Sequence, residues 1–570
     1  MSSMSAVKPG LPIVAMPAST SHDTFRPASP SSLTSSRRPS ATPSSDPTLH
    51  ERDAVDLEKQ QKDDEPVYED TSDTPQRSEK GQSKGAAPAQ PQEDEDPFLV
   101  TLKGREHLNP HTWSVWYRWW LTAFAGLLVL NATFASSAPS NLIPSIIGHF
   151  SVSQEVGILT ISVFVAGYCV GPLLWGPLSE RYGRRLVFLG VWIPYIAFGG
   201  VGCALSPNIG SLIVFRFLGG CFAASPLTNS GGVIADLWDA ERRGDALAIF
   251  ALMPFAGPAL APIISGAMQV TGTDWRWIFW VLTIFAGACG VGIVFLLPET
   301  YVPYILHLEA KRLRKETGDK RWHAPMDKKV EESLMAILHR TVLKPFIMIA
   351  TEPMLLLITL YMSFTYGIVY LLFEAIPIVF EQKHGLNALK SGLVFLALLI
   401  GGVIAVLGYI FYFNKQYMKK HRALAAKGLK MVPPEERLIP LCYAAPLFAI
   451  AFFWFGWTGC FAHISIWSPI LAVVLLGVCI LYIFLAGFNY IIDTYLWGAA
   501  SALAINTVAR SALGAGFPLF AVQMFDTLSI QGASSLLGGL AIVFVPAPFL
   551  LYKYGKKIRG MSKNAVVLDS

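Results

Sequence analysis

Gly176-Pro177-Leu178-Ser179-Glu180-Arg181-Tyr182-Gly183-Arg184-Arg185 is the stretch on which the reading of the whole chain turns. One acid and three arginines are set around Gly183. A glycine at 176 permits close helix approach, and a glycine at 183 permits a tight turn. The carboxylate and the guanidinium groups can pair with groups at neighbouring helix ends, so the segment reads as a latch. Asp236 is the obvious counter-charge, placed to meet Arg181 or Arg184. Apolar runs flank the stretch on both sides, 154–178 before it and 187–205 after it. Each reaches the roughly 18 to 20 residues that cross a bilayer as a helix. The charged decapeptide is therefore a short loop between two membrane spans.

Ten further runs of the same kind follow or precede it, at 119–143, 209–231, 245–268 and 276–297, then 352–380, 391–413, 438–458, 464–490, 494–520 and 532–553. The spacing predicts an all-α membrane protein with twelve transmembrane helices in two six-helix bundles, 118–297 and 346–556. Between them, 298–345 reads as a cytosolic linker holding an amphipathic helix at the membrane surface. Residues 1–117 read as a disordered acidic cytosolic tail with a pre-span segment, and 557–570 as a cytosolic C-terminal tail. Composition agrees. Of 570 residues, 52% are apolar and only 15% charged, against about 25% charged in soluble domains. Residues 1–96 hold 10 Lys/Arg and 17 Asp/Glu amid Ser and Pro, too polar to offset chain entropy by burial. Soluble-enzyme, secreted and nucleic-acid-binding classes fall at this step. The seven cysteines form no Cys-x-x-Cys pair, so neither a metal site nor a disulfide framework is expected.

Basic loops alternate with basic-poor ones. Loops 179–186, 236–244 and 414–437, the linker and the C-terminal tail carry Lys and Arg; 206–208, 269–275, 459–463 and 521–531 carry none. The positive-inside rule then puts both termini in the cytosol. Two sets of six spans joined by a long linker is a transporter layout, with substrate held between the halves near the midplane.

The deciding stretch resembles the Gly-x-Leu-x-Asp-Arg-x-Gly-Arg-Arg signature of the major facilitator superfamily, with Glu180 in place of the aspartate. Span four, "SLIVFRFLGGCFAAS", is similar to the family's Arg-x-x-x-Gly motif through Arg216 and Gly220. Span five, Gly257-Pro258-Ala259-Leu260-Ala261-Pro262-Ile263-Ile264-Ser265-Gly266, resembles the antiporter motif, with Ala261 and Ser265 in place of two glycines. "LNPHTWSVWYRWW" before span one, "DWRWIFW" opening span six and "LPETY" closing it look most like fungal twelve-span drug:proton antiporters, the polyamine-exporter-like subgroup. The resemblance covers roughly 108–557 and implies the major facilitator fold, a gate latch at 176–185 with Asp236, proton coupling through Arg216, and a plasma-membrane location. The second half carries no clear repeat of the latch signature.

Residues too costly to face lipid are the candidates for the substrate cavity: Asn131, Tyr366, Glu374, Asn489 and Asn506, with Asn141, Asn229, Tyr490, Asp493 and Arg510 beside them. Glu374, in "YLLFEAIPIVF", stands near the outer end of span seven. It reads equally as a cation site, a proton carrier, or an acid reaching the outer interface. No Gly-x-x-x-x-Gly-Lys-Ser/Thr, His-Glu-x-x-His or Gly-x-Ser-x-Gly string occurs, so neither a nucleotide-driven pump nor an enzyme is expected. The expectation is a monomeric secondary transporter without cofactors, driven by the proton gradient, whose partners are a small organic substrate, protons and the bilayer, with no nucleic acid. Drugs, polyamines, organic acids and secondary metabolites all suit it. An importer, symporter or uniporter, and a non-transporting sensor are the rivals.

Overall fold

The computed structural model describes residues 96–327, 334–427, 432–562 and 564–565; the acidic tail 1–95, expected to be disordered, lies outside them. Among the described residues the elements are helices, apart from one bridge pairing Leu99 with His323. Eleven helical elements are long and apolar enough to cross a bilayer. The last, Ala499–Arg559, runs 61 residues, which as one straight helix would be about 90 Å long. That is three times the roughly 30 Å hydrocarbon core. It breaks at Ser529, whose φ of 61° and ψ of 171° are not helical. Tyr495 before the element and Asn564 after it both hydrogen-bond Glu352, at 3.5 and 2.9 Å. The element therefore doubles back, and its limbs 499–528 and 530–559 are spans eleven and twelve.

The first six spans are Val115–Ser137, Gln154–Tyr182, Arg184–Tyr195, Ile209–Leu237, Met253–Thr271 and Arg276–Leu296. Span one continues through a 3-10 turn into Ile143–Phe150, and span three through a wide helical turn at Ile196–Gly202. Spans seven to ten are Pro353–Pro377, Ala388–Gly408, Ile439–Gly459 and Trp467–Thr494. Span seven starts at Pro353, within one residue of the expected 352, because Glu352 is extended (φ −111°, ψ 96°). The residue before a proline is driven out of the helical region. A separate helix, Leu334–Thr351, precedes it.

The halves repeat one packing scheme. Span two lies against four and one against five; eight lies against ten and seven against eleven. Glycines set both central crossings: a Cβ on Gly220 would clash with the Phe164 carbonyl, and one on Gly401 with the Val474 carbonyl. The halves meet along two seams, span two with eleven and span five with eight.

Residues 96–114 are ordered. Val100 N–H donates to the His323 carbonyl at 2.8 Å, and His323 N–H to that of Phe98 at 3.0 Å. The linker helix Val302–Thr317 buries Leu306 and Ala310 against Val100 and Ala324. Leu306 and Ala310 are thus covered by the chain's own residues, while Leu308 of the same helix stays exposed. The bundle face bearing this cap and the C-terminal end is called the terminal face below.

Candidate functional site

The latch closes on the terminal face of the first half. Span two ends at Gly183, whose φ of 85° and ψ of 155° suit glycine. A side chain there would run into Glu299 and Tyr304. Arg184 opens span three, buried at 8% exposure. Its Nε donates to Asp236 Oδ2 at 3.3 Å and its Nη1 to Ser179 Oγ at 2.6 Å, and the group stacks 5.0 Å from the Tyr301 ring. Of the two arginines that could meet Asp236, Arg184 does. Arg185 donates to the Val294 carbonyl at 2.8 Å, and Arg181 lies over the Tyr182 ring. Gly176 is in ordinary contact with Thr228, with Leu178 half-buried beside it.

Glu180 does not hold the latch in this conformation: it is exposed, because the helix turns it away from span four. The carboxylate that works here is Glu299 of "LPETY". It accepts the backbone N–H groups of Arg184 (2.9 Å), Arg185 (3.1 Å), Thr300 (3.0 Å) and Tyr301 (3.0 Å). Two of these are first-turn donors of span three, which no intrahelical carbonyl can satisfy, and the negative charge suits the positive end of the helix dipole. Thr300 adds a bond from its hydroxyl to Asp236 at 3.3 Å. The "LNPHTWSVWYRWW" string seals the same face, with Arg118 4.8 Å from the Trp238 ring and bonded to the Leu237 carbonyl.

The second half builds the same clamp without the signature. Arg437, just before span nine, donates to Asp493 Oδ2 at the end of span ten at 2.7 Å, as Arg184 does to Asp236. Glu435 accepts from Arg559 Nε, at the end of span twelve, at 3.1 Å. Asp493 therefore belongs to this terminal-face clamp and not to a cavity, since its position one residue from the end of span ten puts it beside Arg437.

Arg216 is fully buried. Its Nε, Nη1 and Nη2 donate to the carbonyls of Thr160, Ala135 and Ser136 at 2.8, 2.8 and 2.9 Å, and it lies 4.1 Å from the Phe164 ring. The Ala135 carbonyl needs this donor, because the residue four along is Pro139, which has no N–H. Among the described residues Arg216 faces no carboxylate. It ties spans one, two and four together.

The span-five stripe does what small residues permit. A Cβ on Gly257 would clash with Thr133 and Phe134 of span one, and one on Gly266 with the Ala388 carbonyl of span eight. Pro258 and Pro262 are buried, and Asn141 Nδ2 donates to the Pro262 carbonyl at 2.8 Å. Gly392 of span eight faces that carbonyl in turn. Spans one, five and eight thus interlock, backbone on backbone, at the face opposite the terminal one.

The cavity candidates separate into two groups. Asn131 accepts from Tyr195 Oη of span three at 2.8 Å, inside the first half and away from the seam. Asn489 donates to the Leu485 carbonyl of its own helix at 2.7 Å and to Tyr409 Oη at 3.4 Å, near the Arg437 clamp. Asn229 bonds Ser225, and Tyr490 bonds Met354. These polar groups found partners within one half, which a hydropathy argument cannot foresee. Tyr366, Asn506 and Arg510 do face one another's helices. Asn506 Nδ2 reaches Thr359 Oγ1 at 3.3 Å, and the Arg510 guanidinium lies 4.8 Å from the Tyr366 ring. From Tyr366 a hydroxyl chain runs through Tyr370 at 3.4 Å to Ser136 of span one at 2.9 Å, crossing between the halves. Glu374 stands two turns further along span seven, its Oε1 buried with no hydrogen-bond partner among the described residues.

Residues 122–518 match the family model described as Major Facilitator Superfamily. The efflux pump FUB11 of Gibberella moniliformis is 39% identical over 464 residues, 81% of this chain and 77% of that protein. The major facilitator superfamily multidrug transporter mdrA of Aspergillus fumigatus is 40% identical over 478 residues, 84% of this chain and 77% of its own length. In fold the chain resembles the proton:xylose symporter XylE, with a TM-score of 0.56 at 17% identity over 78% of this chain and 96% of that one.

Proposed function

The chain belongs to the major facilitator superfamily, and from that premise we propose that this integral membrane transporter is a proton-coupled exporter. It is an antiporter that moves a small organic molecule out across the plasma membrane as protons enter. The terminal face is the cytosolic one, as the basic loops require, and one chain is the working unit. Relatives named as an efflux pump and a multidrug transporter support the direction.

The observation that carries the reading is the interlock of Gly257, Pro262 and Gly266 with spans one and eight. It closes the outer end of the seam by backbone contact, so that rocking the halves about the midplane opens one face only as the other shuts. The two terminal-face clamps lie each within one half, so each half turns as a rigid body. Glu374 carries the proton: it takes one up while the outer end is open to water, keeps it while its surroundings are apolar and closed, and gives it up once the site opens to the cytosolic side. Arg216 acts on coupling through position, by holding spans one, two and four in register. Substrate and proton then favour oppositely facing states, the condition for exchange.

Proteoliposomes with an imposed pH gradient test this. An exporter accumulates substrate against movement of protons, a symporter accumulates it with them, and a sensor moves nothing. Accumulation in the proton direction would overturn the proposal.

A further inference from the structure

A guanidinium group cannot shed its charge inside a protein, so a buried arginine needs acceptors. Five described arginines are buried: Arg118, Arg184, Arg216, Arg510 and Arg559. Four have acceptors: the Leu237 carbonyl, Asp236 with Ser179, three carbonyls, and Glu435. Arg510 is the exception. At 8% exposure it makes no hydrogen bond and no ion pair among the described residues, and its Nε is sealed without a partner.

What holds it is aromatic. The Tyr366 ring lies 4.8 Å from the guanidinium carbon, that of Phe488 5.6 Å and that of Phe484 6.0 Å. Cation–π attraction of this kind orients the planar fork and leaves its N–H groups unspent. Phe484 also meets Phe255 of span five at 5.4 Å, and Tyr366 leads through Tyr370 to Ser136. The cage thus sits on the seam between the halves. One helical turn before Arg510, the Asn506 Oδ1 is buried with no donor among the described residues. A charge-bearing fork, flat rings around it and a free acceptor one turn away make a built but incomplete site.

Resting on the exporter reading, we infer that Arg510 is the recognition group for the transported molecule, and that this molecule is an organic anion: a carboxylate on a flat, apolar body. The carboxylate completes the fork in bidentate fashion, the body lies among Tyr366, Phe484 and Phe488, and a donor on the substrate meets Asn506. Glu374, about 12 Å further along span seven at 1.5 Å per residue, remains separate as the proton group.

The test uses the purified full chain and three matched probes, 2-naphthoate, 2-naphthamide and 2-naphthylmethylamine, with affinities read from tryptophan quenching. The wild type binds the carboxylate about 30-fold or more tighter than the amide, the scale of a buried charge pair. Arg510→Gln brings that ratio close to one while the amide affinity stays within about threefold, and Arg510→Lys retains an intermediate preference because it keeps charge without the fork. Should Arg510→Gln not fold, Arg510→Lys and Phe488→Leu carry the comparison, each narrowing the ratio. Amide or amine binding as tight as the carboxylate, no carboxylate binding, or an undiminished ratio in the variants overturns the inference. Flux separates the two readings: Arg510-dependent binding of naphthoate without export under a pH gradient defeats the exporter and leaves the recognition site standing.

Discussion

Removing the Glu299 carboxylate tests whether the latch is built as described. In Glu299→Ala four backbone N–H groups lose their acceptor, at Arg184, Arg185, Thr300 and Tyr301. The two at the start of span three amount to loss of a helix cap, about 0.5 to 2 kcal/mol. The other pair adds about 0.5 to 1.5 kcal/mol for each net hydrogen bond, less where water reaches the half-open site. A total of about 2 to 4 kcal/mol is expected. Glu299→Gln keeps an acceptor oxygen and should lose about half. Glu180→Ala, at an exposed position, should fall within about 0.5 kcal/mol of the wild type. Resistance to heating in detergent, followed by gel filtration, and initial flux in proteoliposomes both report the order Glu180→Ala, Glu299→Gln, Glu299→Ala. If Glu180→Ala loses as much as Glu299→Ala, the motif acid holds the latch and the assignment to Glu299 is wrong.

Arg437→Ala and Arg184→Ala should each slow transport while leaving insertion intact, and a double-mutant cycle on Arg437 and Asp493 should give a coupling of about 0.5 to 3 kcal/mol; additive losses would deny the second clamp. Gly266→Leu should insert normally yet lose transport, because the side chain meets the Ala388 carbonyl, and cysteines placed across the outer seam should no longer cross-link; wild-type flux would remove the interlock from the mechanism. Deleting residues 2–95 should leave delivery and transport unchanged, and a delivered but inactive truncation would give the tail a working role. Glu374→Gln should flatten the pH dependence of exchange; an unchanged profile would remove Glu374 as the proton carrier.

The spans were legible because each is long and apolar and the loops between them alternate in charge. The reversal between spans eleven and twelve was legible as the loop 521–531, although the helix runs on to 528 before it breaks at Ser529. The latch was half legible. The sequence offered Arg181 and Arg184 to Asp236 without choosing between them, the structure chose Arg184, and the acid was misplaced. Glu180 has the motif position but is exposed; Glu299, 114 residues beyond Arg185, has the geometry. The fixed string "LPETY" marked the place without saying that its carboxylate points back at span three. The second clamp left no signature, because an ion pair between two helix ends needs only Arg437 and Asp493, not the glycines around them. Among polar residues inside spans, cost alone could not tell a partnered side chain from an open one. Asn131 through its Oδ1 and Asn489 through its Nδ2 find partners within their own halves, whereas among the described residues the Arg510 Nε and the Glu374 Oε1 find none.

The most direct test of the account is substrate-driven proton movement. Proteoliposomes holding a pH-sensitive dye, with the membrane potential clamped and no pH gradient imposed, are loaded with a transported substrate and diluted into substrate-free buffer. As substrate leaves, an antiporter carries protons into the lumen, so the interior should acidify at a rate that follows the substrate gradient and is lost in Glu374→Gln. Interior alkalinisation would show co-transport, and substrate efflux with no change in internal pH would show a uniporter; either result contradicts proton-coupled exchange.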